Sequence, residues 1–141
     1  MLLTTGLVAL CVWASDLLAT ILKVAVDRPR PFSVVPEADR LLGGTIGSSF
    51  PSGHATTSAA GAVALALLVG RALPWLVTAG LGVLAAAIAF SRVYVGVHYP
   101  LDVLAGAALG AAVATAILLG IRPLLRTSRG RQRSGAAPPP G

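Results

Sequence analysis

The chain has 141 residues, 55% hydrophobic and 11% charged, with a net charge of +6 and a mean hydropathy of +0.82. That is too apolar for an ordinary water-soluble domain and rules out disorder over most of the length. The single cysteine, Cys11, excludes an internal disulfide and any multi-cysteine metal site, and aromatics at 5% leave little to stack on nucleic-acid bases.

A bilayer-spanning helix needs roughly 20 apolar residues, with a range of about 17–25. Four stretches meet or approach this: residues 2–26, 55–70, 73–90 and 101–121. Asp16 and Lys23 interrupt the first, and the second is short. All four are rich in Ala, Gly, Leu and Val, and small residues let membrane helices approach closely. A soluble bundle would show polar stripes at helical spacing, and residues 73–90 and 103–119 have none. A cleaved signal peptide would open on a basic segment, which is missing here.

The first helix is expected to stop near Asp27, because Pro29 and Pro31 forbid its continuation. Residues 32–50 read as a loop carrying Pro36, Gly43, Gly44 and Gly47. The second helix begins at Pro51-Ser52-Gly53, where Ser52 can cap. Gly70 to Pro74 form a tight link into the third helix, and Pro100 suits the first turn of the fourth. After Pro123 the chain turns basic, and residues 126–141 read as a disordered, Pro-rich tail. The predicted fold is therefore all-α: a multi-pass membrane helical bundle over residues 1–125 with four transmembrane helices.

Alternating spans put the end of helix 1 and the start of helix 2 on one membrane face, with the end of helix 3 and the start of helix 4. That face receives Lys23, Arg30, Ser52, His54, Arg92, His98 and Asp102, so both histidines converge there. The opposite face receives Arg71, Arg122, Arg126, Arg129, Arg131 and Arg133, with no acid among them. Counting Lys and Arg makes the Arg-rich face cytoplasmic and the histidine face extracytoplasmic. The basic tail then accounts for the high pI through topology and the membrane surface, with no nucleic-acid partner.

Lys23, Arg30 and Arg92 are cations at or near membrane depth, where charge is expensive. One such cation can snorkel to headgroups; three beside two histidines and two helix N-termini suggest a site. Ser52-Gly53 offers a hydroxyl and backbone N–H groups at a helix start, which favours an anion. Together these residues resemble a phosphate cradle, although Ser-Gly-His alone is a common triplet. His98 and Asp102 are spaced so that the carboxylate can fold back onto one imidazole nitrogen and leave the other free to attack. Taken by itself, Asp102 reads rather as a plain cap in the first turn, where it suits the helix dipole. One histidine as nucleophile and the other as general acid is a workable division of labour.

Three blocks then point to a family. Lys23-Val24-Ala25-Val26-Asp27-Arg28-Pro29-Arg30-Pro31 fits K-x6-R-P, Pro51-Ser52-Gly53-His54 is a full P-S-G-H, and Ser91-Arg92 through His98 to Asp102 fits S-R-x5-H-x3-D. In this the chain resembles the type 2 phosphatidic acid phosphatase superfamily, which also contains the vanadium haloperoxidases. The resemblance implies that His98 is the nucleophile, forming a phosphohistidine, that Asp102 orients it, and that His54 protonates the leaving group. It implies that Lys23, Arg30, Ser52, Gly53 and Arg92 bind the phosphoryl oxygens, and that no metal or other cofactor is used. The substrate implied is a lipid-linked phosphate monoester or diphosphate, hydrolysed outside the cytoplasm. Membrane members usually have about six spans, so this chain reads as lacking the two N-terminal ones, through truncation or as a minimal form completed by a homo-oligomer.

Other residues get plainer expectations. Asp16 is expected to make a helix-packing hydrogen bond, Arg28 to contact a headgroup or loop, and Tyr94 and Tyr99 to flank the pocket at the interface. Among activities, a phosphotransferase passing the same phosphoryl group to an alcohol, or a non-catalytic membrane subunit that keeps the pocket, stand as alternatives to hydrolysis. A haloperoxidase fits the spans poorly.

Overall fold

A computed structural model of the chain describes residues 1–34 and 47–134. The order of elements among them is α1 (Leu2–Val26), α2 (Pro31–Val34), α3 (Gly53–Val69), α4 (Trp75–Tyr94) and α5 (Pro100–Ser134). Pro36, Glu37, Asp39, Arg40, Gly43, Gly44 and the Pro-rich end at 135–141 lie outside the described residues.

α1 ends where the sequence predicts. Asp27 adopts φ 42°, and its N–H closes onto the Lys23 carbonyl at 3.0 Å. Asp is among the few side chains that tolerate this left-handed conformation. Part of the expected loop is helical instead: Pro31 starts the single turn α2, a position that suits its fixed φ and missing N–H. The Ser33 hydroxyl secures this turn by donating to the Arg30 carbonyl at 2.7 Å. At the other end of the chain, the α5 backbone runs through Pro123 to Ser134, past Arg126 where the sequence suggests a tail. Arg and Leu favour helix, so the local sequence there is compatible with it.

The stretch Leu2–Val34 and the helices Trp75–Tyr94 and Pro100–Pro123 are long and apolar enough to cross a membrane. α3 has 17 residues, at the short end of the spanning range, and lies at the centre of the bundle against α1, α4 and α5. The outer faces present Trp13, Val24, Val83, Leu84, Phe90 and Leu104. In lipid such apolar faces need no protein cover.

Small residues set the centre. On α3, Thr56, Ala60 and Ala64 recur every four residues and are buried. On α5 the matching row is Gly106, Gly110, Ala114 and Leu118. Rows at this spacing form ridges that interdigitate. A Cβ on Gly106 would stand 2.6 Å from the Ser52 carbonyl oxygen, and one on Gly110 would collide with the Thr56 carbonyl. Only glycine admits this approach, and it brings the Ser52 N–H to the Asp102 carbonyl at 3.0 Å. α1 adds a stripe of Cys11, Ser15 and Ala19, all fully buried. The α3–α5 crossing therefore locks the start of α3, which carries His54, to the start of α5, next to His98.

Candidate active site

Three segments build the site: the end of α1 with its extension to Arg30, residues 47–53 leading into α3, and the turn from α4 to α5. The last begins as α4 runs out at Tyr94. Gly96 takes φ 74°, and the Arg92 carbonyl accepts both the Val97 N–H at 3.3 Å and the His98 N–H at 3.2 Å. A glycine in the left-handed region just past a helix end is what this reversal requires. It folds His98 back toward the bundle, where the residue is 5% exposed.

A cavity of about 310 Å³ is lined by Asp16, Lys23, Arg30, Gly53, His54, Thr57 and His98. Both histidines therefore reach one cavity, together with two of the three expected cations and the helix-start glycine. Ser52 is buried beside it, at the N-cap of α3. Contrary to expectation, the Ser52 hydroxyl caps nothing; the Thr56 hydroxyl and N–H both donate to the Ser52 carbonyl, at 2.9 and 3.0 Å. Among the described residues the Ser52 hydroxyl is the one buried side-chain polar atom without a partner. A buried donor left in that state costs about 1–3 kcal/mol, so a ligand oxygen there would relieve it. Arg92 is not brought into the cavity lining: its Nε donates to the Ser91 hydroxyl at 3.1 Å.

Arg30 is 7% exposed and does double duty. It donates to the carbonyls of Gly47 (2.8 Å), Val97 (3.0 Å) and Ser48 (3.3 Å). These bonds staple the chain ahead of α3 to the His98 turn. A guanidinium has five N–H donors, so part of the fork is still available to an anion in the cavity it lines.

The His98 ring is held differently from the sequence expectation. Its Nδ1 lies 2.7 Å from the Ser49 carbonyl and 3.7 Å from Asp102 Oδ2. The second distance is too long for a hydrogen bond. A carbonyl can only accept, so Nδ1 carries the proton and Nε2 keeps its lone pair. Ser49 thus sets the tautomer, the task expected of Asp102. Burial, and next the charge of Arg30, push the His98 pKa down to about 4, against the Ser49 hydrogen bond; Lys23 lowers it further and Asp102 raises it. The imidazole is therefore neutral at physiological pH.

Asp102 is fully buried and splits its two oxygens. Oδ2 accepts the Tyr99 N–H at 3.0 Å, the reach-back of a third helical residue onto the N-cap that a capping box uses. Oδ1 accepts from the Arg28 guanidinium at 2.7 Å. The cap reading of Asp102 is thus observed, beside a partnership the sequence did not suggest. The loop contact expected of Arg28 is made by its backbone N–H, which donates to the Ser48 hydroxyl at 3.0 Å, while its guanidinium lies 4.0 Å above the Tyr99 ring. Tyr99 is therefore a platform for Arg28, while Tyr94 stays 71% exposed at the end of α4.

Asp16 also departs from expectation. Among the described residues it makes no hydrogen bond or ion pair, and it lines both this cavity and an apolar groove along α1. Of the residues that sequence reasoning missed, Arg28 had a visible signal, a second Arg-Pro immediately before Arg30-Pro31. Ser49 had none, because it acts through its backbone carbonyl.

Comparison with known proteins now settles the family. The family model of the PAP2 superfamily matches residues 4–125. The chain belongs to that superfamily. It is 42% identical over 94 residues to the undecaprenyl-diphosphatase of Sulfolobus acidocaldarius, covering 66% of this chain and 43% of that protein. It is 40% identical over 105 residues to the lipid A 1-phosphatase of Rhizobium johnstonii, covering 69% of this chain and 39% of that one. The fold of this PAP2 chain is similar to the crystal structure of LpxE from Aquifex aeolicus, with a TM-score of 0.73, 28% identity, and coverage of 82% of this chain and 67% of that one. The chain spans about two-fifths of the length of the two curated relatives. This PAP2 protein is an all-helical membrane protein, with membrane lipid phosphatases among its relatives.

Proposed function

We propose that the protein is a membrane phosphatase that cleaves a lipid-linked phosphate monoester or diphosphate through a phosphohistidine on His98. The observation that carries this reading is a single cavity holding His98, with its Nε2 lone pair free, together with His54, Lys23 and Arg30. The relatives' names add the substrate class: an undecaprenyl-diphosphatase and lipid A phosphatases.

In this reading His98 Nε2 attacks phosphorus, and the bond from phosphorus to the lipid-side oxygen breaks. His54 gives its proton to that oxygen. Water then attacks the phosphohistidine, and His54 takes the proton that water loses. The N–P bond breaks, and inorganic phosphate leaves with His98 neutral again. Lys23, Arg30 and the Gly53 N–H offset charge on the equatorial oxygens, and the Ser52 hydroxyl gains the acceptor it lacks. Arg92 joins this set only by turning its guanidinium from Ser91 toward the cavity. The cations supply the neutralisation that other phosphatases take from a metal, so turnover is expected to persist in a chelator. The cavity faces the extracytoplasmic side, which leaves Arg71 and Arg122 on the cytoplasmic side.

The test is phosphate release by the purified protein in lipid vesicles. Substrates are a polyprenyl diphosphate, phosphatidate, phosphatidylglycerophosphate and lipid A, with chelator present. His98→Ala should lower turnover by more than ~10³-fold, because nucleophile and proton-transfer groups act as one unit. Full turnover by His98→Ala would overturn the mechanism.

A further inference from the structure

Arg28 falls at a position of the first block that carries no expected catalytic role, yet the structure spends it on the most buried charge in the site. Asp102 is 0% exposed, and burying a carboxylate is costly unless it is paired and hydrogen-bonded. Arg28 provides the pair, 2.7 Å from Oδ1. Arg28 is itself held at two further points: the Tyr99 ring lies 4.0 Å beneath its guanidinium, and the Ser48 hydroxyl accepts its backbone N–H at 3.0 Å. A side chain merely reaching for lipid headgroups would not be anchored at its backbone, its face and its tip.

The clamp acts on the carboxylate edge away from His98. With Oδ1 on Arg28 and Oδ2 on the Tyr99 N–H, Asp102 stays 3.7 Å from the His98 ring and leaves Nδ1 to the Ser49 carbonyl. We propose that Arg28 is a positioning residue: it holds Asp102 beside the His98 ring and keeps it from taking Nδ1, so that the imidazole stays neutral until it bonds to phosphorus. When Nε2 forms that bond the ring becomes positive, and a fixed carboxylate nearby stabilises it without having protonated it beforehand. This rests on the phosphoryl-transfer reading above and adds to it how the nucleophile's charge is controlled.

The groups that face His98 come from every neighbouring element. Asp16, Lys23 and Arg30 share the cavity from the α1 side, the Ser49 carbonyl precedes α3, His54 shares the cavity from α3, the Arg92 carbonyl lies in the last turn of α4, and Asp102 opens α5. Arg28 stands behind Asp102, and among the described residues it is the one whose side chain hydrogen-bonds to that carboxylate. Its loss therefore frees the carboxylate to approach Nδ1, which favours the imidazolium.

The test is the pH dependence of kcat/KM for the full chain in vesicles, with the His98 ring followed in parallel by nitrogen NMR. Arg28→Gln should lower kcat by roughly 10–100-fold, the range for groups that orient a working ligand from behind, with KM little changed. The acid limb and the His98 titration should both move up by about one unit or more, the scale for an opposite charge brought close. Arg28→Lys should recover part of both. If Arg28→Gln folds poorly, the pair Asp102→Asn and Arg28→Gln/Asp102→Asn removes the buried charge and keeps the test: the double variant should match the single in kcat. An unmoved acid limb and His98 titration, a loss confined to KM, or a double variant well below Asp102→Asn would each overturn the proposal. A wild type that releases no phosphate from any lipid tested would instead fail the phosphatase reading, while the NMR titration would still judge the Arg28 clamp.

Discussion

The two histidines share a cavity but live in opposite surroundings. His98 is 5% exposed, with its N–H on the Arg92 carbonyl, its ring on the Ser49 carbonyl and a clamped carboxylate behind it. His54 is exposed at the start of α3, and among the described residues its ring makes no hydrogen bond. The contrast suits the two proposed tasks. A nucleophile needs one tautomer and one orientation, whereas the proton-transfer group must serve the leaving oxygen in one half of the cycle and the attacking water in the other. Rigidity is thus concentrated on the attacking side and withheld from the side that exchanges protons.

Three measurements can break this contrast or sharpen it. The largest effect is expected from His54→Ala, which should cost about 10²–10⁴-fold on a lipid alcohol leaving group. The same variant should cost far less on a nitrophenyl phosphate, whose leaving oxygen needs no proton. Equal losses on both substrates would show that His54 is not the acid.

The acid side of the pH profile comes next. With the His98 pKa held down to about 4, kcat/KM should fall only as the pH drops through that value, by about tenfold per unit. Stability follows the same group with its own sign. The unfolded chain gains a proton on His98 near 6.5 and the folded one only near 4, so stability should decline as pH falls between those values and level off below. Above 6.5 the group should make no difference. Thermal unfolding of wild type against His98→Gln across this window reads the effect directly.

The smallest effect on chemistry should come from the crossing that supports the site. Gly110→Val places a side chain against the Thr56 carbonyl and should cost about 1–3 kcal/mol of stability by overpacking. By parting the starts of α3 and α5, it should lower kcat at temperatures where the protein still folds. A variant with wild-type stability would show that the crossing is looser than described.

Much of this was legible in the chain. Prolines at 29, 31 and 100 and the glycine at 70 marked the helix ends, and alternating spans alone brought His54 and His98 to one side. The cavity then gathered Lys23, Arg30, Gly53 and both histidines as expected. The remainder depended on which partner a side chain meets first. Asp102 meets Arg28 at 2.7 Å but stops 3.7 Å short of His98 Nδ1, a difference that residue spacing along the chain does not encode. Backbone carbonyls such as Ser49 carry no sequence signal. Arg92 shows the converse: a residue in a matching block whose guanidinium rests on Ser91, outside the cavity wall.

The exposed Trp75 and Tyr94 stand at the two ends of α4. Such rings prefer the boundary between hydrocarbon and water, and 19 helical rises of about 1.5 Å put them ~29 Å apart, close to the thickness of a bilayer's oily layer. The helix therefore works as a depth gauge. The turn carrying His98 follows directly after Tyr94, so in the proposed function this gauge would set the reacting atoms level with the phosphates of one leaflet. The proposed lipid substrate, anchored by its tail, would then arrive by sliding sideways in two dimensions, without being lifted out of the sheet it belongs to.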